Sequence, residues 1–315
     1  MVATLRVLAV VTALGAVTGC SWWRSRSAAD AGAADGAVSG PVDVTLSPTR
    51  DGWTLAATVA TGEASSQGAA VLLVHQLGSS RGEWSALMDR LARPPSITAM
   101  AIDLRGHGES TLGPSGRATW ERFRPTPAAW AATATDVAAG VDYLKVSGGA
   151  QRVVIVGSSL GSTAAVMAAA EDPSVAAVVM ISPGLEYRGV DPRPAFTRFA
   201  GVFAGASARP ALLLAADQDL AAAEAVPALA SMAGPATEHE VIGGTRAHGV
   251  SLLDEDPRRW DRVEAFIRRA LRLPRPGLRV AEPARPPAVS ADAGRATGDA
   301  SALQSDGGDG EDATP

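Results

Sequence analysis

The sequence predicts an α/β fold built on a mostly parallel sheet with helices on both faces. Three observations carry that expectation. Hydrophobic residues make up 46% of the 315 residues, ample for a large core. Apolar runs such as "AAVLLVHQ" (69–76) are continuous, as in strands buried on both faces. Such runs alternate with stretches of helical spacing, which is the pattern of a parallel sheet with crossover helices.

In chain order, "VDVTLSPTRDGWTLAATVATG" reads as two strands around a turn at Asp51-Gly52. The strand at 69–76 follows, then a helix from Gly82 to Ala92 and the strand "ITAMAIDL" (97–104). A helix from about Ala128 to Val146 carries Trp130, Val137, Val141 and Leu144 near helical spacing. Next come the strand "RVVIVG" (152–157), a helix from Leu160 to Ala170, and strands at 175–182, 211–217 and 237–243. A closing helix runs from about Asp256 to Leu271.

The folded part is expected over 42–273. At the start, "MVATLRVLAVVTALGAVTGC" has a weakly positive opening, an apolar stretch and small residues before Cys20, the only cysteine. That is a secretory signal pattern, too short and weakly flanked for a stable membrane span. The "VTGC" segment resembles the bacterial lipoprotein box. That resemblance implies removal of residues 1–19, lipid modification of Cys20 and a membrane anchor. Ser21 in the next position favours the outer membrane by the same resemblance. An ordinary signal peptide with a stray cysteine is the alternative. Two or more acyl chains hold a protein firmly where one does not. Residues 20–41 read as a flexible tether. Trp22 and Trp23 there suit either a membrane interface or an exposed linker. Residues 274–315 are poor in large apolar side chains and are expected to be disordered.

Net charge is −5 with no block of Lys or Arg, which argues against nucleic acid as the partner. One cysteine and four scattered histidines lack metal-ligand spacing. The glycine-bearing segments lack a phosphate-loop lysine or a dinucleotide fingerprint, so neither metal nor cofactor is expected.

In open α/β sheets ligands bind beyond the carboxyl ends of the strands. After the strand "VVIVG" come Ser158, Ser159, Leu160 and Gly161, then an alanine-rich helical run. The segment Gly157 to Gly161 fits G-x-S-x-G, with the small residues that a sharp strand-to-helix turn requires. Ser159 is the candidate nucleophile, and Ser158 occupies the "x" position. A serine needs a base to take its proton. His248, in "GGTRAHGVSLL", sits in an irregular loop after the last strand and is better placed than His239, which lies within a strand. Asp217 and Asp219 follow a strand between the serine and the histidine, so either completes the order Ser…Asp…His. His75, His107 and Asp103 read as loop-bracing groups.

With these residues in view the chain resembles the α/β-hydrolase fold serine hydrolases, from roughly residue 50 to 271. "VLLVHQLGSSRGEW" is similar to the family's HG-x-G segment, "AIDLRGHGESTLGP" to its D-x-R-G-H-G-x-S segment, and "GSSLGS" to its elbow. "AHGVSLL" is similar to the histidine segment of dienelactone-hydrolase-like and general esterases. The resemblance implies an eight-stranded-type sheet, Asp219 rather than Asp217 as the acid, and an oxyanion hole from the N–H groups of Leu77 and Leu160. The chain departs from the family at Gln76, where glycine is common.

The expected function is a membrane-tethered serine hydrolase acting on small carboxylic esters or thioesters. A non-catalytic binding lipoprotein, a peptidase or a perhydrolase with the same triad are the alternatives. The lid stretch from Pro183 to Pro210 is short and at most loosely helical. Trp120, Phe123, Phe196, Phe199 and Phe203 either line an acyl site or pack the loops down.

Overall fold

The computed structural model describes residues 40–62, 68–122, 126–201 and 209–273. Cys20, Trp22, Trp23, Phe123, Phe203 and the tail from 274 onward lie outside the described residues.

Among the described residues there are ten strands: β1 (Val42–Leu46), β2 (Leu55–Ala60), β3 (Ala69–Val74), β4 (Thr98–Ile102), β5 (Leu112–Gly113), β6 (Gly116–Arg117), β7 (Arg152–Ser158), β8 (Val175–Ile181), β9 (Ala211–Ala216) and β10 (Thr237–Ile242). Eight of them form one sheet in the order β1-β2-β4-β3-β7-β8-β9-β10, and β5 and β6 make a small hairpin. β2 pairs antiparallel with both β1 and β4, and every pairing from β4 to β10 is parallel. The parallel centre explains the unbroken apolar runs. All six residues of β3 and all six of β9 are buried.

The described residues also hold eight α-helices: α1 (Ser85–Leu91), α2 (Pro127–Ala131), α3 (Thr133–Val146), α4 (Leu160–Glu171), α5 (Arg193–Ala200), α6 (Leu220–Ala230), α7 (Val250–Asp254) and α8 (Pro257–Ala270). Side chains alternate across each strand, so the sheet feeds two cores. Leu72 and Val74 join Val137, Val141, Ala164 and Val226 on one face, with α3, α4 and α6. Val71 and Leu73 join Leu87, Leu91, Val263 and Phe266 on the other, with α1 and α8. No described helix is long and apolar enough to cross a membrane.

Three expectations change. The single helix expected over 128–146 is two, α2 and α3, divided at Ala132. The helix expected to open at Gly82 begins as a 3₁₀ turn over Arg81–Trp84 before α1. The lid stretch holds a true helix, α5, whose Phe196 and Phe199 are buried in the core beside α4. Helical pairing of those two rings on one face outweighs the prolines, which sit ahead of the helix or in its first turn, where no N–H is needed.

Candidate active site

Ser159 sits between β7 and α4 with φ 51° and ψ −112°, a backbone conformation rarely held by a residue with a side chain. Such strain costs of order 1–3 kcal/mol and persists only where the surroundings over-determine it. Here they do. The Ser159 N–H donates to the Ile181 carbonyl at 2.8 Å, and the Ser162 N–H and the Thr163 N–H return to the Ser159 carbonyl at 2.9 and 3.4 Å. The Ser162 hydroxyl donates to the Gly157 carbonyl at 2.8 Å. Glycine is needed on both sides for space. A Cβ on Gly157 would strike the Gly161 backbone, and one on Gly161 would strike the carbonyls of Val74 and His75. Close approach of α4 to the end of β3 is therefore what the two glycines permit.

β9 ends at Ala216, and the next residues divide two tasks. Asp217 accepts N–H bonds from Gly244 at 2.9 Å and Thr245 at 3.1 Å, which hold its carboxyl below the ordinary value. It thereby ties the end of β9 to the loop after β10. Asp219 Oδ2 lies 2.7 Å from His248 Nδ1. A carboxylate only accepts, so that nitrogen carries the proton and Nε2 keeps its lone pair. The His248 side chain is 48% exposed and that of Asp219 14%, so the imidazole is open to an incoming molecule while its partner is shielded. The histidine loop is itself braced: the Ser251 hydroxyl donates to the His248 carbonyl at 2.7 Å, and the Gly249 N–H donates to Ser182 Oγ at 2.9 Å. His239 lies exposed within the edge strand β10, far from any such pairing.

Ser159 is half-buried, and its hydroxyl makes no side-chain hydrogen bond among the described residues. Leu160 is the first residue of α4, where the N–H has no partner within the helix. Neither its N–H nor that of Leu77 finds an acceptor among the described residues. The Leu77 turn is held from behind. His75 Nε2 accepts the Leu104 N–H at 3.0 Å, so its Nδ1 carries the proton and donates to the Gln76 carbonyl at 2.7 Å. Burial drives His75 down to about 3, which keeps that tautomer neutral. His107 packs at 4.9 Å from His75 and stacks on Trp120 at 5.6 Å, and burial lowers it as well. Asp103 accepts the backbone N–H of Arg81 at 2.7 Å and of Glu109 at 2.9 Å and pairs with the Arg81 guanidinium. These three residues brace loops.

Phe196 and Phe199 do not line an acyl site: they pack α5 into the core, and Trp120 is occupied with His107. A cavity of about 560 Å³ lies between the segment Leu46–Arg50 and helices α3 and α4, at the Glu171 end of α4. That end is roughly 17 Å of helix away from Ser159. Sequence reasoning did not single out Glu83 or Ser182. Glu83 accepts the Gln76 N–H at 3.1 Å, and nothing in a lone glutamate within a short turn announces that contact.

A strained serine between a parallel strand and a helix, with an Asp–His pair at the carboxyl edge of the same sheet, defines a class of α/β fold. The model of the alpha/beta hydrolase family matches residues 71–304, and the chain belongs to that family. Among solved structures, an esterase of Pyrococcus furiosus is similar with TM-score 0.55 and 18% identity, over 73% of this chain and 92% of that one. A dienelactone hydrolase from Anabaena variabilis gives 0.52 and 21%, over 75% and 100%. A predicted CIB-like hydrolase from Thermoplasma acidophilum gives 0.52 and 18%, over 73% and 99%. No curated protein matches the chain.

Proposed function

We propose that the protein is a serine hydrolase that cleaves carboxylic ester or thioester bonds through an acyl-Ser159 intermediate. The observation that carries this reading is the 2.7 Å pairing of His248 Nδ1 with Asp219, which leaves Nε2 as a base at the edge of the sheet that presents Ser159. Ser159 Oγ attacks the acyl carbon as His248 Nε2 takes its proton. The carbonyl oxygen becomes an oxyanion, accepted by the N–H groups of Leu77 and Leu160. Collapse expels the alcohol or thiol, which leaves with the proton from His248. Water then repeats the cycle and releases the acid. Asp219 favours the imidazolium formed in each half. The oxyanion donors are worth about 10²–10³ in rate apiece.

A fluorophosphonate probe on the full chain tests the reading. Labelling is expected in the wild type and absent in Ser159→Ala, together with loss of p-nitrophenyl ester turnover. Labelling that survives Ser159→Ala sinks the nucleophile assignment. Absence of labelling and turnover in the wild type favours a binding protein.

The same proposal places the enzyme on a bacterial envelope membrane through a lipidated Cys20, with the "VTGC" box as its support. Cys20→Ala is expected to abolish incorporation of labelled palmitate and to move the protein out of the membrane fraction. Unchanged membrane association in that variant overturns the anchor.

A further inference from the structure

Gln76 joins three segments that the proposed reaction needs. Its backbone is pinned on both sides: the N–H donates to Glu83 Oε1 at 3.1 Å, and the carbonyl accepts from His75 Nδ1 at 2.7 Å and from the Ser79 N–H at 3.2 Å. The next amide, Leu77, is the one left free. The side chain turns inward. Its Oε1 is fully buried without a hydrogen-bond partner, and so is the hydroxyl oxygen of Ser158, the residue before the candidate nucleophile. Both atoms crowd the same place. A Cβ on Gly249 would fall 2.5 Å from Ser158 Oγ and closer still to Gln76 Oε1. Gly249 follows His248 and holds φ at 64°. A hydroxyl that can donate and a carbonyl that can only accept thus meet over the backbone of the histidine loop. Leaving a buried acceptor unmet is unfavourable, so a small rotation that joins the two groups is favoured.

We propose that Gln76 is a positioning residue: its side-chain carbonyl accepts the Ser158 hydroxyl proton and clamps the Leu77 turn to the serine elbow and to the His248 loop. The proposal rests on the serine-hydrolase reading for its effect on rate, though not for the clamp itself. A glycine at position 76 has no atoms to reach Gly249, so the clamp is a property of this chain's own residue. Closing it sets the Leu77 N–H and the His248 ring relative to Ser159 together. Its loss should lower the chemical step more than substrate binding.

Gln76→Met keeps the length of the side chain and removes the acceptor. Ser158→Ala removes the donor and changes the volume least. In the full chain each is expected to lower kcat on p-nitrophenyl acetate about tenfold with KM changed less than twofold, and the double variant is expected to fall no further. Gln76→Glu, which restores an acceptor of the same length, is expected to recover part of the rate. Independent, additive losses, or a change confined to KM, overturn the clamp. Thermal unfolding of the wild type, the Gln76→Met and Ser158→Ala variants and their double variant gives a readout free of activity: the Tm shifts of the two single variants should not add in the double. Additive shifts overturn the clamp whatever the enzyme does. If wild-type Ser159 takes up no fluorophosphonate, the hydrolase reading fails by itself and the Tm cycle still judges the clamp. Should Gln76→Met fail to fold, Ser158→Ala alone decides through kcat.

Discussion

Glu83 is a carboxyl group set beneath the Leu77 turn, with one oxygen on the Gln76 N–H and the other buried without a partner. Burial pushes it up to about 7, against the pull of bonds from Ser79 and Gln76, and Asp254 adds to the rise. The sign follows from linkage. The folded chain holds this proton more tightly than the unfolded one, whose value is about 4.5. The group therefore weighs least on stability below 4.5, and its penalty grows as pH rises from 4.5 towards 7. The full penalty is on the order of 3 kcal/mol. Glu83→Gln keeps the shape and removes the titration. Its Tm should exceed that of the wild type at pH 8, and the gap should close near pH 4.5. A gap of equal size at both pH values contradicts the burial argument. Sequence reading assigned Asp219 through a resemblance, with Asp217 as the rival. Their bonding partners separate them: Asp217 takes two backbone N–H groups and Asp219 takes the imidazole. Two residues of chain between them decide which way each carboxylate faces, and no pattern in "AADQD" records that direction.

At the scale of elements, the elbow depends on how closely α4 approaches β3. Gly161→Ala places a methyl group inside contact distance of the Val74 and His75 carbonyls, and Val74 is the last residue of β3 paired with β7. Gly161 does not need glycine's conformational freedom; it needs the missing volume. On the proposed function the variant should lose 10²-fold or more in p-nitrophenyl ester turnover, and it should unfold at a lower temperature, since overpacking costs typically 1–3 kcal/mol. Wild-type kinetics in Gly161→Ala would show that the helix is not held there. The six strands β3, β4 and β7 to β10 lie within two residues of the bounds expected from the sequence, because continuous apolar runs are a strong signal of strands buried on both faces. Helices α5, α6 and α7 were missed. Alanine-rich α6 and the short α7 have little amphipathic contrast to read, and α5 was masked by its prolines. The break between α2 and α3 is equally silent in "AAWAATATD", where every residue is compatible with a helix.

Across the whole molecule, Arg105 draws distant segments together. Its guanidinium bonds Asp136 of α3 at 2.7 Å, Asp51 of the β1–β2 turn at 2.5 Å and the Thr135 hydroxyl at 2.6 Å. Asp136 is fully buried, and desolvation pushes it up to about 6 even beside the guanidinium. Removing one partner of a buried pair typically costs 3–5 kcal/mol, because a charge is left without compensation. Arg105→Ala should therefore lower Tm by roughly 10 °C for a domain of this size. The loss should be larger at pH 8 than at pH 5, where Asp136 can take up a proton instead. Any p-nitrophenyl ester turnover per folded molecule should survive, since Arg105 bonds none of Ser159, Asp219 and His248. A Tm within 2 °C of wild type at pH 8, on the same scale, would falsify the anchoring role.

The sequence by itself determined the sheet, its two faces and the order of the serine, acid and histidine along the chain. Those depend on local apolar runs and on the spacing of a few residues around turns, which are written in one dimension. The tertiary structure alone decided which aspartate meets His248, that Phe196 and Phe199 belong to the core, and that Gln76 reaches across to Gly249 and Ser158. Each of these joins residues far apart in the chain or hangs on the direction of a single side chain. Packing of the sheet, and not any local preference, brings such groups within a few ångströms.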